Sequence, residues 1–409
     1  MGDLLSEARS LDDSDQLSCF RDEFVPIEPD LIYLDGNSLG RLPKRSIEIA
    51  NDVIARQWGV QLIESWKTWI DLSTTLGDRL SQSVLGAKKG EVVVCDSTTI
   101  NLYKIALSII KEQRGDKEAR KKIVIEADNF PTDRYIVDSL AQEFGLEVIT
   151  LPVDDSLTIS IDLFEEAFDE DVIFGCFSAL SYKSGARIDM AAVNSIAQGV
   201  GSRVIWDLSH AGGAVVVDLE GTESQYAIGC TYKYLNAGPG APAYLYVRSD
   251  LIEAMENPIK GWFSQDDQFE MAEKYSPKSG ISRFCTGTPN IIGSYLVGAG
   301  IDLIAEATIE ALEAKGHALG DFFIKGFEVE LKDLGFSLAS PKDQSLRGSH
   351  VSLSHPRARQ ITSELIDHGV VPDFRTPSLI RFGFAPLYQS FIEISRAIQV
   401  IREVTIGMR

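Results

Sequence analysis

Residues 91–115 read EVVVCDSTTINLYKIALSIIKEQRG, a short β-branched run followed by a longer amphipathic one. The run EVVVC predicts a strand, and Leu102, Ile105 and Ile109 recur at the spacing of a helix with one buried face. The same alternation continues, with further strands predicted at KKIVIEAD, LEVITLPV, DVIFGCFSAL and SRVIWDLSH. Nearly continuous Val and Ile in strands joined by helices predict an α/β fold, in which helices cover both faces of a mainly parallel sheet.

The pattern changes after Leu251. A region rich in Ser, Gly, Lys and Pro predicts a long functional loop, and a helix is predicted from about Asn290, with a break at Gly316 before it continues. Strands at GFSLAS, SHVSLSH and SLIRFGFAP, with two helical segments, predict a smaller α+β domain. We therefore expect an N-terminal segment, 1–50, that joins the small domain, a large domain over 51–300 and a small C-terminal domain over 301–409.

Composition and charge narrow the class of protein. The 409 residues are 44% hydrophobic, which allows sizeable cores, and the net charge of −21 argues against a nucleic-acid partner. No apolar run approaches the roughly 18 residues of a membrane span, and the N-terminus lacks a secretory signal, so we expect no membrane partner and a cytoplasmic location. The five cysteines form no Cys-x-x-Cys pair, which favours buried small hydrophobes over disulfides or a thiolate metal site.

Polar side chains follow the predicted strands at the edge where a doubly wound sheet binds its ligand. They stand in four short segments: Ser97, Thr98 and Thr99 in DSTT; Phe130 and Asp133 in NFPTD; Ser178; and Asp207 and His210 in DLSH. DSTT is either a phosphate cradle at a helix start or an ordinary helix cap. Asp207 and His210 are either an acid and base pair or half of a metal site, and because no further ligand stands at metal-binding spacing we predict no metal.

Lys233 lies between two tyrosines in TYKYLNAGPGAP, after a strand-like run and before a glycine-rich loop. Taken alone, it is either a Schiff-base lysine or a surface lysine. Taken with the strand-end residues, it fits one cofactor. Pyridoxal 5′-phosphate (PLP) needs a lysine for an imine, a carboxylate at its pyridine nitrogen, an aromatic ring against its own ring, and a helix start for its phosphate.

The combination of motifs resembles the kynureninase family, within the aspartate-aminotransferase-like PLP enzymes. The motifs run in the family's order from Tyr33 to Phe391 and read YLDGNSLGRLP, NFPTDRY, WDLSHAGGAVVVDL, CTYKYLNAGPGAP, KGWFS, GTPNI and IRFGFAPLYQSF. The resemblance implies fold type I, with a seven-stranded sheet in the large domain and PLP bound covalently to Lys233. It also implies a homodimer with active sites at the subunit interface.

The resemblance further implies roles for particular residues. Catalytic roles fall on Lys233, Tyr232 and Asp207; cofactor contacts on Thr98, Thr99, Phe130, Asp133, Ser178, Asp207, His210, Tyr232, Lys233, Trp262 and Thr288; and substrate contacts on Arg381, Asn37, Ser38 and Trp66. Trp262 and Thr288 are expected to act across the dimer interface, and Arg381 is expected to bind the substrate carboxylate. Whether Tyr232 contacts the phosphate, relays a proton or does both stays open.

The implied reaction is hydrolysis of L-kynurenine, or of 3-hydroxykynurenine, to the anthranilate and L-alanine, a step of tryptophan catabolism that also supplies NAD biosynthesis. Preference between the two substrates stays open. One alternative is another fold type I enzyme such as a cysteine desulfurase, for which Cys285 is the candidate nucleophile. Another is a non-enzymatic relative, but such a protein is expected to lose Lys233, Asp207 or Arg381, and all three are present.

Overall fold

The computed structural model describes residues 2–113, 120–154 and 158–408. The strands are β1 (Ile32–Tyr33), β2 (Val92–Val94), β3 (Lys122–Glu126), β4 (Glu147–Leu151), β5 (Val172–Ser178), β6 (Arg203–Asp207), β7 (Tyr226–Gly229), β8 (Tyr244–Val247), β9 (Ser337–Leu338), β10 (His350–Ser354), β11 (Val370–Val371), β12 (Asp373–Arg375) and β13 (Leu379–Gly383). The α-helices are α1 (Gly2–Asp13), α2 (Lys44–Asn51), α3 (Trp66–Trp69), α4 (Leu72–Leu80), α5 (Thr98–Gln113), α6 (Pro131–Phe144), α7 (Ile161–Ala167), α8 (Met190–Gly199), α9 (Ser249–Ile252), α10 (Ile291–Ala307), α11 (Ile309–Gly326), α12 (Ala358–Asp367) and α13 (Phe391–Gly407).

The large sheet has, within the described ranges, seven strands in the order β2-β8-β7-β6-β5-β3-β4. Strand β8 runs antiparallel to both of its neighbours, and the other pairs are parallel. This arrangement confirms the predicted α/β fold with a mainly parallel sheet. All of β5 is buried, as expected of a strand covered on both faces. The β5–β6 register places Ser178 beside Asp207 at the carboxyl edge of the sheet.

A second, smaller sheet has the antiparallel order β12-β13-β10-β9, and β1 pairs in parallel with β11. Helices α11 and α12 pack on this sheet and α13 packs on both helices, which gives the predicted C-terminal α+β architecture. The N-terminal segment packs on both units: Leu4 and Ile32 lie in the core beneath the small sheet, whereas Leu17 and Phe24 lie in a core of the large sheet. The division at residues 50 and 300 stays a prediction.

The predicted helix break at Gly316 is wrong. Helix α10 ends at Ala307, Thr308 adopts a left-handed φ of 68°, and α11 runs through Gly316 without interruption. Gly316 allows close packing instead, because a Cβ there would lie 2.3 Å from Ser349 Oγ. Thr308 makes the break possible by capping the new helix, its Oγ1 accepting a hydrogen bond from the Ala311 amide at 3.4 Å.

Four of the five cysteines have the predicted burial. Cys95, Cys176, Cys230 and Cys285 are buried as predicted, but Cys19 is exposed, because it lies on a short surface 3₁₀ turn, Ser18–Glu23, that buries no residue. Among the described residues, no single helix is long and apolar enough to cross a membrane. The segments Ile291–Ala307 and Ile309–Leu334 are long and apolar enough for a span only when they are counted as one, and the chain bends by 81° between them.

Candidate active site

A cavity of about 170 Å³ lies at the carboxyl edge of the large sheet. Its walls come from the segments that follow β2, β3, β5, β6 and β7, and they are Ser97, Thr98, Thr99, Phe130, Thr132, Asp133, Ser178, Leu180, Tyr182, Asp207, Ser209, His210, Tyr232 and Lys233. The cavity therefore brings together nine of the residues that the sequence suggested for a cofactor. Parallel strands explain this, since their carboxyl ends all meet at one edge of the sheet.

The start of helix α5 forms one wall of the cavity. Thr98 and Thr99 lie in its first turn, where a helix leaves its amide N–H groups without intrahelical acceptors. Ser97 precedes the helix, and its Oγ accepts a hydrogen bond from the Ile100 amide at 3.4 Å. Hydroxyls, free amides and the positive end of a 16-residue helix together suit an anionic phosphate group.

Two carboxyl groups, those of Asp207 and Asp133, also line the cavity. Asp207 ends strand β6, and its Oδ1 accepts a hydrogen bond from the Ser209 amide at 2.8 Å, which fixes the orientation of the carboxylate. Asp133 is buried nearby, and among the described residues its Oδ2 has no hydrogen-bond partner. Burial raises the pKa of Asp133 well above its usual value, and the neighbouring charges of Asp207 and Glu126 raise it further.

Glu126 is a third buried carboxyl group beside this site, and the sequence analysis missed it. Its Oε1 accepts a hydrogen bond from the Ser178 amide at 2.9 Å, so it supports the end of strand β5. Burial raises the pKa of Glu126 to about 8. Its position in the sequence could have predicted this role. Glu126 ends the apolar strand β3, and the ends of the parallel strands lie at the same edge of the sheet as Asp207.

Lys233 projects into the cavity from the loop after β7. Its Nζ lies 2.9 Å from His210 Nε2 and 5.8 Å from the ring centroid of Phe130. His210 is buried, and burial together with the charge of Lys233 lowers its pKa well below the usual value. The Phe130 ring packs edge-on against Tyr182 at 5.4 Å, which holds it at the cavity wall. The amine therefore stands between a neutral imidazole and an aromatic face.

Tyr232 also lines the cavity. Burial raises the pKa of its phenol above the usual value, with smaller contributions from Cys230 and Asp207, so the phenol keeps its proton at neutral pH. The backbone carbonyl of Tyr232 accepts a hydrogen bond from the Gly40 amide at 2.8 Å. This bond joins the lysine loop to the N-terminal YLDGNSLG segment.

Arg381 lies beside the cavity and is not part of its wall. It is almost completely buried, its Nε donates to Asp373 Oδ1 at 2.7 Å, and its Nη2 donates to Ser38 Oγ at 2.9 Å. Its Nη1 donates to the backbone carbonyl of Tyr182, which does line the cavity. Asn37 is buried against Gly383, two residues along β13. No local pattern pointed to Asp373, because only the antiparallel β12–β13 pairing places it opposite Arg381.

Trp66, Trp262 and Thr288 lie apart from this cavity. The Trp66 and Trp262 rings contact each other with centroids 6.4 Å apart, and Trp262 is 37% exposed. Thr288 lines a separate cavity of about 230 Å³, together with Cys95, Cys285 and other residues. Within one chain the structure does not bring these three residues to Lys233.

The residues around Lys233 fit PLP. The cavity offers amides and hydroxyls for a phosphate, an oriented carboxylate for a pyridine nitrogen, an aromatic face for a ring and an amine for an aldehyde. The unpartnered buried oxygen of Asp133 provides a further acceptor beside them. In the described part of the chain, no group of three or more His, Cys, Asp and Glu side chains is placed to hold a metal ion.

Comparison with solved structures assigns the fold. A cysteine desulfurase from Thermococcus onnurineus superposes with a TM-score of 0.82 at 20% identity, covering 95% of this chain and 98% of that one. A cysteine desulfurase from Escherichia coli gives a TM-score of 0.82 at 17% identity, covering 96% and 99%. A third structure, with glycine covalently linked to its PLP cofactor, gives 0.80 at 16% identity, covering 93% and 98%. The fold is therefore that of fold type I PLP enzymes.

Sequence comparison is more specific. The kynureninase C-terminal domain family matches residues 312–401. Kynureninase from Pseudomonas fluorescens is 39% identical over 405 residues, covering 98% of this chain and 95% of the relative. Kynureninase from Burkholderia pseudomallei strain K96243 is 36% identical over 400 residues, covering 97% and 94%. The chain belongs to the kynureninase family.

Proposed function

We propose that this enzyme hydrolyses the Cβ–Cγ bond of L-kynurenine, with PLP held covalently on Lys233. One water molecule is consumed, and the products are anthranilate and L-alanine, as expected for a step of tryptophan catabolism in the cytoplasm. The observation that carries the proposal is the position of Lys233, 2.9 Å from His210 in a cavity that Asp207 also lines. Full-length similarity to kynureninases supports the choice of substrate.

Four residues hold the cofactor in this proposal. Thr98 and Thr99 bind its phosphate at the start of α5, Phe130 lies against its ring, and Asp207 pairs with its pyridine nitrogen. When bound, PLP supplies an electron sink that stabilises negative charge on carbon atoms next to the substrate nitrogen. Ser178 supports Asp207 from the next strand, and Asp133 lies at the same end of the cavity.

The proton chemistry falls on Lys233. With PLP bound, Lys233 would hold it, and a Lys233 amine that is free of the cofactor would still lie in the cavity as a base already in place, which needs no diffusional encounter. We propose that it removes the Cα proton of the substrate. The neutral ring of His210, at 2.9 Å, can accept a hydrogen bond from the amine and so orient it. Tyr232 keeps its phenolic proton, which suits it both to donate to a phosphate oxygen and to relay a proton.

Substrate binding is assigned to the small sheet. Arg381 binds the substrate carboxylate through its planar guanidinium, which Ser38 and Asp373 already orient in the structure. The Nη1 of Arg381 donates to the carbonyl of Tyr182, a residue that lines the cavity, so the guanidinium lies next to the proposed ligand space. Asn37 is a further proposed substrate contact. Trp66 lies apart from the cavity and contacts Trp262, so its proposed substrate contact would be made across the dimer interface.

We further propose a homodimer in which Trp262 and Thr288 reach the partner's cofactor. Two segments expose unusually large apolar side chains, with Trp58 60%, Ile63 73%, Phe269 61% and Met271 72% exposed. Clusters of this kind on a folded surface mark interaction sites. Trp262, which is also partly exposed, contacts Phe269 with ring centroids 6.2 Å apart, so it belongs to the same surface.

The cysteine desulfurase alternative requires a reactive thiolate. Cys285 is buried, and burial raises the pKa of its thiol to about 12, which opposes thiolate formation at neutral pH. Its backbone carbonyl also accepts a hydrogen bond from Asn257 Nδ2 at 3.2 Å, and the residue follows the 3₁₀ turn Ile281–Phe284. The kynureninase reaction is therefore the better supported of the two.

The test is release of anthranilate and alanine by the PLP-loaded protein from kynurenine, with 3-hydroxykynurenine measured in parallel. Borohydride treatment should label Lys233 and remove the cofactor's absorption band, whereas Lys233→Ala should show neither the label nor the activity. A PLP-loaded protein that releases no anthranilate from either substrate would refute the assignment.

A further inference from the structure

His350 is a buried histidine that the proposed reaction does not use. It begins strand β10 and is fully buried, and among the described residues neither its Nδ1 nor its Nε2 has a hydrogen-bond partner. A buried polar group without a partner costs free energy, on the order of 1–3 kcal/mol. Two such atoms on one ring indicate that the ring has a partner in the working enzyme.

The nearest polar ring is that of His210. The two imidazole centroids are 5.5 Å apart, with their planes inclined by 56°. The Nε2 of His210 lies 2.9 Å from Lys233 Nζ, whereas its Nδ1 is buried and, in the described ranges, also lacks a partner. His210 therefore contacts both Lys233 and His350, and each of the two rings carries at least one buried nitrogen that lacks a partner among the described residues.

The small sheet holds His350 in this place. In the β10–β13 register Ser352 lies opposite Arg381 and His350 lies opposite Gly383, so these alternate positions share one face of the sheet. That face packs on the segment after β5, where Arg381 donates to the Tyr182 carbonyl. Gly185 has a φ of 72°, and a Cβ there would lie 2.8 Å from the His350 carbonyl oxygen and 3.3 Å from its Nε2. The ring therefore has little room to turn away.

We propose that His350 is a positioning residue for Lys233, because it accepts a hydrogen bond from Nδ1 of His210 and so fixes the tautomer whose Nε2 faces the lysine amine. One ordered water between the two rings completes this bond. With Nδ1 carrying the proton, Nε2 of His210 is an acceptor and orients the amine of Lys233. The inference deepens the proposed function, since it rests on Lys233 as the reactive amine.

The electrostatics of the site support neutral rings. The charged groups that face them are Arg381, Asp373, Lys233 and Arg347 around His350, and Lys233, Arg381 and Arg375 around His210. Burial first, and then mostly cationic neighbours, lower the pKa of His350 to about 3 and that of His210 well below its usual value. A neutral imidazole has one donor and one acceptor nitrogen, so one ring can donate while the other accepts.

The test is nitrogen NMR on cofactor-free protein labelled with ¹⁵N-histidine, where the chain's five histidines are assigned by single substitutions. In the wild type, His210 should carry its proton on Nδ1. His350→Phe should change the His210 tautomer or average it, and His350→Gln, which can still accept a hydrogen bond, should restore it. His355→Phe is the matched control, because His355 is also buried in the small domain but does not line the cavity, and its ring contacts that of Phe336 with centroids 4.7 Å apart.

A second readout uses the PLP-loaded enzyme. His350→Phe should shift the pH midpoint of the cofactor's absorption change and lower kcat about tenfold with little change in KM, because the substrate contacts stay in place. Wild-type protein with the His210 proton on Nε2 would overturn the proposal, even if no variant folds. So would a folded His350→Phe protein with unchanged His210 signals and an unchanged midpoint. The NMR result does not depend on activity. A failure of the proposed reaction can therefore be told apart from a failure of the proposed role of His350.

Discussion

The ammonium group of Lys104 lies 2.8 Å from Asp96 Oδ2, and this ion pair joins the interior of helix α5 to the segment just before the helix begins at Thr98. Lys104 is fully buried and also donates to the Phe284 carbonyl at 2.7 Å. Asp96 has a left-handed φ of 48°, and its other oxygen accepts from Thr286 Oγ1 at 2.8 Å. The pair thus connects the proposed phosphate cradle with the loop that carries Thr288.

Replacing Lys104 with Met should destabilise the cofactor-free protein by about 3 kcal/mol, because a buried ion pair that loses one partner leaves a charge uncompensated. PLP affinity should fall as well, since Asp96 then no longer holds Ser97 and the helix start in place. Urea unfolding and PLP titration measure the two effects. Lys111→Met, at an exposed position near the end of the same helix, is the control and should stay within about 0.5 kcal/mol.

Glu126 should make stability depend on pH. Its pKa is raised to about 8 in the folded protein, so the folded state binds more protons than the unfolded state between the ordinary carboxyl value and pH 8. The free energy of unfolding therefore falls as pH rises through this window. Between pH 5 and pH 8, the wild type should lose about 3 kcal/mol more than Glu126→Gln.

Urea unfolding at both pH values, with Glu147→Gln at an exposed strand position as control, measures this difference. The charge of Glu126 raises the pKa of Asp133, so the same comparison in an Asp133→Asn background removes the contribution of Asp133. Parallel pH profiles for the wild type and Glu126→Gln would show that Glu126 is ionised in the folded protein.

Arg381→Lys should raise KM for kynurenine while changing kcat less. Lysine keeps the charge but lacks the planar fork, so the substrate carboxylate loses paired hydrogen bonds worth about 2 kcal/mol, or roughly 30-fold in affinity. Steady-state kinetics provide the measurement. Arg375→Lys is the matched control, because Arg375 also binds Asp373, at 2.6 Å, but is more exposed. An equal rise in KM for both variants would argue against a specific carboxylate contact by Arg381.

If Trp262 and Thr288 act across the dimer interface, two inactive variants should complement each other. Mixed dimers of Lys233→Ala with the double variant Trp262→Ala and Thr288→Ala contain one site in which all three residues are native. Random reassociation into twofold dimers makes half of the dimers mixed, so about a quarter of wild-type activity should return. Activity that stays at the sum of the separate variants would place both residues in the site of their own chain.

The surface around Trp58 and Ile63 should be needed for association. Replacing both with Ser removes a large part of the exposed apolar area, so the protein should shift toward monomer in sedimentation at micromolar concentration. Val329→Ser, a similarly exposed apolar residue on the small domain, is the control and should leave the mass unchanged. A wild type that is already monomeric would contradict the proposed homodimer.

Much of the fold and part of the cavity could be predicted from local patterns. Val92 to Val94 and the whole of β5 are buried strands because their sequences are continuously apolar, and the parallel order brings Thr98, Phe130, Asp207 and Lys233 to one edge. The helix break was predicted at Gly316 and lies at Thr308. A glycine can either end a helix or allow close packing, and at Gly316 the nearby Ser349 shows that it allows close packing.

The sequence by itself determined the type of the main strands and helices, the strand-end residues and the family, since hydrophobic periodicity and ordered motifs are properties of the chain alone. Only the tertiary structure decided which distant groups meet. Asp373 reaches Arg381 through strand pairing, Glu126 is buried beside Asp207 across the sheet, and His350 meets His210 where the small sheet packs on the large one. These contacts depend on register and packing between segments far apart in the chain, and burial then sets the protonation of the groups they bring together.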